Sequence, residues 1–318
     1  MNEQKAAHVL TVTLNPSIDK TFSVERVVPE RKLPTSEVRN FPGGGGINVA
    51  RAICRLGGQA HALWTCGGST GVLLTELLDA ERLHHDPVRV ADSVRENLII
   101  KDVSNDQQFR FGLPGPKLSQ QERDLWCNSL REHGAGADFV VFSGSLPRGV
   151  PVEWYGELVR AAPAGARVVV DTKKDALAAA LAVGVYLIKP NIHELEEAVG
   201  HELEGDDAIG AAAREVIERG AAEVVLVSMG RGGAMLATAD GIHRLSAPSV
   251  TPRSKVGAGD SMVGGVITAL TRGASIVEAA SYGVAAGAAA VMSEGTDLCT
   301  REDTERLLTR VDDQEAMA

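Results

Sequence analysis

Val256-Gly257-Ala258-Gly259-Asp260-Ser261 is the stretch around which this chain of 318 residues is organised. Two glycines separated by one small residue precede a single carboxylate, and an apolar run over residues 262–270 follows. This order predicts a tight loop that opens onto a buried helix, with backbone amides converging where the helix starts. Such amides, together with the positive end of the helix dipole, form an anion site.

Asp260 has two interpretations on the local pattern alone. A carboxylate beside an anion site is unfavourable in charge unless it has a chemical task, and a general base next to a transferred phosphoryl group is such a task. Aspartate is also a common N-terminal cap of a helix. The local pattern leaves both interpretations open.

Composition and charge limit the classes of function. The length allows one large α/β domain, alone or with a smaller appendage, and aromatic residues make up only 4% of the chain. The formal net charge of -10 gives no general attraction to nucleic acid or to an anionic membrane. An anionic substrate must therefore be held by local cations and amides.

The four cysteines, Cys54, Cys66, Cys127 and Cys299, lie far apart and contain no C-x-x-C pair. We interpret them as buried thiols in a reducing compartment. No apolar run is long enough to span a bilayer, and residues 1–7 are polar and lack the core of a signal peptide. The cytoplasm is the expected location.

Helix and strand patterns alternate over most of the chain, which predicts βαβ units and a parallel sheet covered on both faces. Strands are predicted at residues 8–14, 60–66, 139–142, 167–171, 185–188 and 223–228, followed by an antiparallel edge pair at 233–239 and 241–245. Helices are predicted at residues 47–56, 70–83, 119–132, 151–161, 174–181, 192–199, 208–219, 260–270 and 276–292. The polar tail from Asp312 is expected to fray.

Four half-polar β-like segments do not fit the main sheet. They cover residues 21–28, 36–41, 97–103 and 107–111, and the last two form a predicted hairpin. We expect them to form a small second sheet that stands off the main body. Lys32 and Arg95 belong to this region, where a simple surface role is the alternative to ligand binding.

Polar residues gather where the predicted parallel strands end, and ligands bind at that edge of an α/β sheet. They are Asp19, expected in a turn after the first strand, residues 143–145, Asp171, and residues 189–191 and 228–233. The glycine-rich residues 228–233 have a plain β-turn as their alternative, and no P-loop sequence is present. His84-His85 is interpreted as a solvated pair and not as a metal site.

Asn191 and Glu194 are three residues apart at a predicted helix start, so both side chains share one face. An amide and a carboxylate suit a hydrated Mg²⁺ ion, which prefers oxygen ligands. The alternative is a capping box, with Asn191 as the N-cap and Glu194 as its partner.

Two glycine signatures occur together, at residues 42–50 (Pro-Gly-Gly-Gly-Gly-Ile-Asn-Val-Ala) and at residues 256–265. With residues 14–19, 143–147 and 283–287, they make the chain resemble the ribokinase-like (PfkB) carbohydrate kinase family from about residue 9 to 308. The resemblance implies a three-layer α/β sandwich with a mostly parallel central sheet. It also implies one kinase domain over residues 1–318, with a β-sheet lid from about 20–42 and 95–113.

The resemblance also implies roles for single residues. Asp260 matches the general base, and the amides of Gly257, Ala258 and Gly259 match the anion hole. The sugar would be held by Asp19, Gly43, Gly44, Gly45 and Asn48, and its own phosphate by Lys32, Arg95 and Ser145. The matches to nucleotide contacts are Lys189, Asn191, Ser228, Gly230, Arg231, Gly232, Gly233 and Val284. Glu194 would order Mg²⁺ through water, and Ser254, Val256, Ser293 and Gly295 would surround a monovalent cation such as K⁺.

Kinases of phosphorylated sugars are the members that this chain resembles most. The resemblance implies ATP-dependent phosphorylation of fructose 6-phosphate at its 1-hydroxyl in glycolysis, and a homodimer formed through the lid. Relatives that act on fructose 1-phosphate or tagatose 6-phosphate usually have lysine where this chain has Gly45. Activity on those sugars is the alternative, and a catalytically silent sugar-phosphate sensor is the non-enzyme alternative.

Overall fold

The computed structural model describes residues 7–254, 256–293 and 297–316. Its strands are β1 (Val9–Thr13), β2 (Ser17–Val24), β3 (Arg39–Gly43), β4 (His61–Cys66), β5 (His84–Arg89), β6 (Arg95–Asp102), β7 (Gln107–Gly112), β8 (Phe139–Ser143), β9 (Arg167–Asp171), β10 (Val185–Ile188), β11 (Ala222–Ser228), β12 (Ala234–Ala237), β13 (Ile242–Ser246) and β14 (Asp312–Ala316). Its helices are α1 (Gly45–Arg55), α2 (Gly68–Ala80), α3 (Gln120–His133), α4 (Val152–Arg160), α5 (Lys174–Leu181), α6 (Ile192–Val199), α7 (Gly205–Glu218), α8 (Ala258–Thr271), α9 (Ile276–Met292) and α10 (Arg301–Leu308).

The large sheet has ten strands in the order β14-β13-β12-β11-β10-β9-β8-β1-β4-β5. Neighbours from β11 to β5 pair in parallel, whereas β12, β13 and β14 add to β11 in antiparallel fashion. The mostly parallel central sheet predicted from the sequence is thus confirmed. Because all the parallel strands end at the same edge, their following loops converge there.

Hydrophobic side chains fill both faces of this sheet. Val9 and Trp64 pack on the face covered by α1, α2, α8, α9 and α10. Leu10 and Leu63 pack on the other face, which α3 to α7 cover. Two helical layers around one sheet give the expected three-layer sandwich, and the apolar runs in the strands follow from burial on both sides.

The second sheet has four strands in the order β3-β2-β6-β7, with β2 and β6 parallel and the outer pairs antiparallel. Large apolar side chains are exposed on this sheet or in its loops, namely Val27, Val38, Val103, Phe111 and Leu113. The small sheet therefore has little hydrophobic core of its own, and its segments are accordingly half polar in sequence.

Small residues let α8 lie very close to its neighbours. A Cβ atom on Gly264 would lie 2.7 Å from Ala52 Cβ of α1, and one on Gly265 would lie 2.9 Å from Gly283 Cα of α9. Close backbone approach at these points brings the first turns of α1 and α8 together. The fold therefore sets Asn48 beside Asp260.

Several sequence predictions are wrong in detail. Residues 84–89 form a strand, β5, where the sequence analysis saw only a solvated histidine pair, and α10 was missed. The tail does not fray, because residues 312–316 pair with β13 as β14, so the 233–245 pair is not the edge of the sheet. Pairing of this kind satisfies the backbone groups of an otherwise open strand.

Two further predictions need correction. Cys54 is exposed and Cys127 is only partly buried, because both lie on helix surfaces, and all four cysteines are free thiols. Asp19 lies inside β2, not in a turn. Within the described parts of the chain, no helix combines the length and the apolar character needed to cross a membrane.

Candidate active site

Asp260 lies in the first turn of α8, and the helix is preceded by Gly257 in the left-handed conformation with φ 73°. The Ser261 amide donates to the Gly257 carbonyl at 2.8 Å. The amides that precede it at the helix start have no acceptor within the helix. The positive φ favours glycine, and a Cβ at Gly257 would also lie 2.4 Å from Leu298 Cδ2, so that side chain would have to move. This is the geometry of an anion-binding helix N-terminus.

The Asp260 carboxylate is partly buried and accepts a hydrogen bond from Asn48 Nδ2 at 2.9 Å. Burial and the nearby charge of Asp171 raise the pKa of Asp260 to about 6, against the opposing effects of Asn48 and Lys189. A carboxylate with a pKa near neutrality is a better proton acceptor than an ordinary aspartate. Among the described residues, no side-chain hydrogen bond caps α8. The structure therefore does not support the interpretation of Asp260 as a helix cap.

Lys189 supplies a fixed positive charge beside this helix start. Its Nζ pairs with Asp171 Oδ1 at 3.1 Å, and a Cβ on Gly259 would lie 3.4 Å from the same Nζ. Burial acts to lower the pKa of Lys189, but the Asp171 carboxylate outweighs it and the net shift is upward. The ammonium therefore stays charged next to the amides of the candidate anion hole.

Asp19 is the centre of a polar cluster at the start of the small sheet. Its Oδ1 accepts hydrogen bonds from Ser17 Oγ at 2.8 Å and Asn97 Nδ2 at 2.7 Å. A Cβ on Gly43 would lie 2.8 Å from Asp19 Oδ1, so the first glycine signature passes directly over the carboxylate. Asp19 also raises the pKa of Asp260, as the smallest of the causes of that shift. The two carboxylates are therefore close enough to interact.

Arg95 starts β6 directly beside Ser17. Burial lowers the pKa of its guanidinium, and the Asp19 carboxylate works in the opposite direction. Its Nε is buried without a hydrogen-bond partner among the described residues. A half-buried cation whose buried Nε lacks a partner fits an anionic ligand group at this position.

The remaining predicted sugar contacts are only partly assembled. Asn15 Nδ2 donates to Ser145 Oγ at 3.0 Å, which holds Ser145 close to the turn before β2. Lys32 is exposed in the loop between β2 and β3, and its side chain makes no ion pair within the described ranges. Its role in binding a phosphate stays a prediction.

Gly44 and Gly45 begin α1 against the ends of two central strands. Gly44 has φ 117°, which favours glycine, and a Cβ there would lie 2.7 Å from Thr13 Cγ2. At Gly45 a Cβ would lie 2.2 Å from Ser143 Oγ and 2.8 Å from the amide nitrogen of Gly144. Packing alone therefore excludes a side chain at Gly45 unless its neighbours move.

Asn191 and Glu194 form the capping box considered in the sequence analysis. Asn191 Oδ1 accepts from the Glu194 amide and Glu194 Oε2 accepts from the Asn191 amide, both at 2.9 Å. Glu194 is also close enough to raise the pKa of Lys189, behind the larger effects of burial and Asp171. Within the described parts of the chain, no hydrogen bond or ion pair involves its second carboxylate oxygen, so the residues fit a hydrated Mg²⁺ as well as a cap.

The glycine-rich segment after β11 forms a short 3-10 turn, Gly230–Gly232, closed by a 2.8 Å bond from the Met229 amide to the Gly233 carbonyl. Arg244, which the sequence analysis did not identify, holds this turn by donating to the Gly232 carbonyl at 2.7 Å. The local geometry is that of a plain turn. Nucleotide contacts by Ser228, Gly230, Arg231, Gly232, Gly233 and the buried Val284 stay predictions.

The predicted monovalent-cation loop lies at the end of α9. The Ser254 amide bonds to the Val291 carbonyl at 3.2 Å, and the Val256 amide to Ser254 Oγ at 3.2 Å. Ser293 Oγ donates to the Leu298 carbonyl at 3.2 Å. Three of the four predicted residues thus come from two adjoining segments, and Gly295 lies outside the described residues.

Sequence reasoning missed Ser17 and Asn97, which orient Asp19. The parallel register of β2 and β6 sets Asn97 directly opposite Asp19, and this pairing joins residues 78 positions apart. The polar character of residues 97–103 was the available signal, but it indicated only a surface strand.

A three-layer α/β sandwich with an anion-binding helix start, and beside it a carboxylate of raised pKa, is typical of a small-molecule kinase. The family model described as pfkB family carbohydrate kinase matches residues 12–303, so the chain belongs to this family of carbohydrate kinases.

Relatives with named functions match nearly the whole chain. It is 42% identical over 299 residues to ATP-dependent 6-phosphofructokinase isozyme 2 of Mycobacterium tuberculosis, covering 94% of this chain and 88% of the relative. Identity to the isozyme 2 enzyme of Escherichia coli is 41% over 301 residues, covering 94% and 97%. A 1-phosphofructokinase of Xanthomonas campestris is 40% identical over 276 residues, covering 85% and 86%.

Solved structures agree with these relatives. Phosphofructokinase-2 of Escherichia coli in complex with potassium has a TM-score of 0.90 at 39% identity, covering 96% of this chain and 99% of that one. The complex of the same enzyme with fructose-6-phosphate has a TM-score of 0.88 at 38% identity, with the same coverage.

Proposed function

We propose that this protein transfers the γ-phosphoryl group of ATP to the 1-hydroxyl of fructose 6-phosphate, giving fructose 1,6-bisphosphate. The observation that carries the proposal is Asp260, a carboxylate with raised pKa at an anion-binding helix start, beside the Lys189 ammonium. The relatives named 6-phosphofructokinase support the choice of sugar. The cytoplasm remains the expected location.

Each end of the substrate has a matching group in the site. Asp260 accepts the proton of the attacking hydroxyl, and Asn48 holds the carboxylate in place for it. The amides of Gly257, Ala258 and Gly259 with Lys189 stabilise the charge of the moving phosphoryl group. The Asp19 charge affects the pKa of both Asp260 and Arg95, so a sugar bound at Asp19 would have the base and the unsatisfied guanidinium nearby.

Metal ions complete the proposal. Glu194 would bind Mg²⁺ through its waters, and Mg²⁺ on ATP supplies neutralisation of phosphate charge. Ser254, Val256 and Ser293, with Gly295, would hold K⁺ beside the start of α8. The Escherichia coli relative solved with potassium supports this assignment.

The second candidate is phosphorylation of fructose 1-phosphate, which the relative named 1-phosphofructokinase favours. Lysine at position 45 would place a cation against a 1-phosphate, and this chain has glycine there with no space for a side chain. The choice therefore rests on Arg95 as the phosphate-binding cation at the far end of the sugar.

A substrate panel tests the proposal. ADP release is measured with fructose 6-phosphate, tagatose 6-phosphate, fructose 1-phosphate and no sugar, and we expect the highest kcat/KM for fructose 6-phosphate. Arg95→Gln should raise the KM for this sugar by roughly 10-fold or more with a smaller change in kcat, because a charged hydrogen bond is worth about 1.5–3 kcal/mol. Preference for fructose 1-phosphate would select the second candidate, and sugar-independent ADP release would reject both.

A further inference from the structure

A histidine cluster lies at the edge of the large sheet opposite the candidate active site. His61 and His84 are the first residues of β4 and β5, and they pair directly in the parallel register. Asp86 lies two residues further along β5, so its side chain points to the same face as His84. The alternation explains why His85 points to the other face, where its Nδ1 accepts from Trp64 Nε1.

The ligand atoms of these three side chains converge. One ring nitrogen each of His61 and His84 and one oxygen of Asp86 all lie within 4.8 Å of one another. His61 Nε2 is 2.8 Å from Asp86 Oδ2, and the His61 and His84 rings stack with centroids 4.1 Å apart. Small rotations would bring such atoms to the spacing of a tetrahedral metal site, whose bonds to nitrogen and oxygen are about 2.0–2.2 Å.

A further histidine from another element holds Asp86 without joining the three converging ligand atoms. His133, the last residue of α3, has its Nδ1 3.3 Å from the same Asp86 oxygen, and its ring meets that of His61 edge to face at 5.3 Å. Three imidazoles thus surround one carboxylate. His61 and His133 both contact the same Asp86 oxygen, whereas His84 makes no hydrogen bond among the described residues.

The cluster is reachable from solvent. His61 and His84 line an open cleft of about 470 Å³ together with His8, Cys54 and Arg82. His61 itself is 7% exposed, whereas His84 is exposed at the mouth of the cleft. A buried nitrogen donor with an exposed partner gives a metal both a fixed ligand and an access path.

We propose that His61, His84 and Asp86 bind one divalent transition-metal ion of the Zn²⁺ type, with His133 as the outer partner that orients Asp86. Imidazole with carboxylate is a donor set that suits such ions, whereas Mg²⁺ prefers oxygen alone. The ion would join β4 and β5 at the rim opposite the strand ends that form the candidate active site. The interpretation of His84-His85 as a solvated pair is wrong for His85, whose side chain is 6% exposed and accepts from Trp64 Nε1, whereas His84 is exposed as expected. The metal proposal is independent of the proposed function.

The test is Zn²⁺ titration of the chelator-treated full chain by calorimetry, with Mg²⁺ present in excess to occupy oxygen-donor sites. We expect one equivalent to bind, and His84→Gln and His133→Gln each to weaken binding by about 10-fold or more, since losing even an outer partner of a metal ligand costs about 10–100-fold. The matched control is His201→Gln, an exposed histidine outside the cluster. Bound Co²⁺ should give visible absorption bands without a thiolate charge-transfer band.

Three results would overturn the proposal. They are no stoichiometric binding by the wild type, equal affinity in His84→Gln, or loss of binding in Cys54→Ser, which would assign the metal to the exposed thiol in the same cleft. Circular dichroism and sugar-dependent ADP release check that each variant is folded. A Zn²⁺-dependent rise in Tm that is present in the wild type and in His201→Gln but absent in His84→Gln provides an independent readout.

Discussion

At the scale of single residues, the catalytic task proposed for Asp260 comes with a cost to stability. Its pKa is raised from 3.8 to about 6, so folding favours the protonated form. Ionised Asp260 therefore opposes folding above about pH 6, and this penalty disappears as the pH falls towards 4. A helix cap would show the opposite behaviour, because the charge would then stabilise the folded state.

We expect Asp260→Asn to lower kcat by roughly 10²–10⁴ and to raise Tm near about pH 7.5, with the gain vanishing at about pH 4. The amide can still accept the bond from Asn48, so the fold is kept. Thermal unfolding at both pH values and ADP-release kinetics provide the measurements. In the wild type, kcat/KM should fall as the pH drops through about 6. Near-normal kcat in the variant, or a lower Tm at neutral pH, would favour the cap.

At the scale of elements, the start of α6 forms a capping box, and Glu194 is also proposed to order Mg²⁺; one variant separates the two roles. Glutamine retains the carbonyl oxygen that a capping box needs but loses the charge that orders Mg²⁺ waters. Glu194→Gln should leave Tm nearly unchanged and raise the Mg²⁺ concentration needed for half-maximal activity. Glu278→Gln, in the equivalent capping box of α9, is the matched control. An unchanged Mg²⁺ requirement would leave Glu194 as a capping residue only.

A second prediction at this scale concerns the contact between the start of α1 and the end of β8. The Cβ of Gly45→Ala would collide with Ser143 Oγ and the Gly144 backbone. We expect overpacking of this kind to cost about 1–3 kcal/mol in the free energy of unfolding. Gly241→Ala, where no atom lies within 4 Å of the added Cβ, is the control. Equal unfolding free energies of Gly45→Ala and Gly241→Ala in chemical denaturation would show that β8 can shift to accommodate the added Cβ. Gly45→Lys could then be used to test the choice of sugar.

At the scale of the whole molecule, the small sheet exposes apolar side chains and one open face, which a second copy of the chain would cover. We therefore expect a homodimer through this sheet. Phe111, 50% exposed on β7, is the side chain to change. Phe111→Ser should shift the mass measured by light scattering from dimer to monomer. Val72→Ser, on α2 and 56% exposed, should not. A monomeric, fully active wild type would contradict the expectation.

The sequence alone determined the class of fold and the chemistry at its centre. Helices at residues 174–181, 192–199 and 276–292 have the predicted bounds, because hydrophobic periodicity and capping residues are local signals. The two glycine signatures indicated the anion site and the candidate base, since a loop that must approach a phosphate closely leaves a glycine pattern that is visible without coordinates.

Tertiary structure decided the features that depend on partners distant in the chain. Ser17 and Asn97 orient Asp19, β14 covers β13, and His61 meets Asp86 and His133 only because strand register and helix packing join them. The raised pKa of Asp260 has the same origin, since burial and the charge of Asp171 create it. Local propensity acts over a few neighbouring residues, whereas desolvation and charge interactions depend on distance in space. The sequence therefore indicated the candidate groups for the chemistry, and the fold set their ionisation and their neighbours.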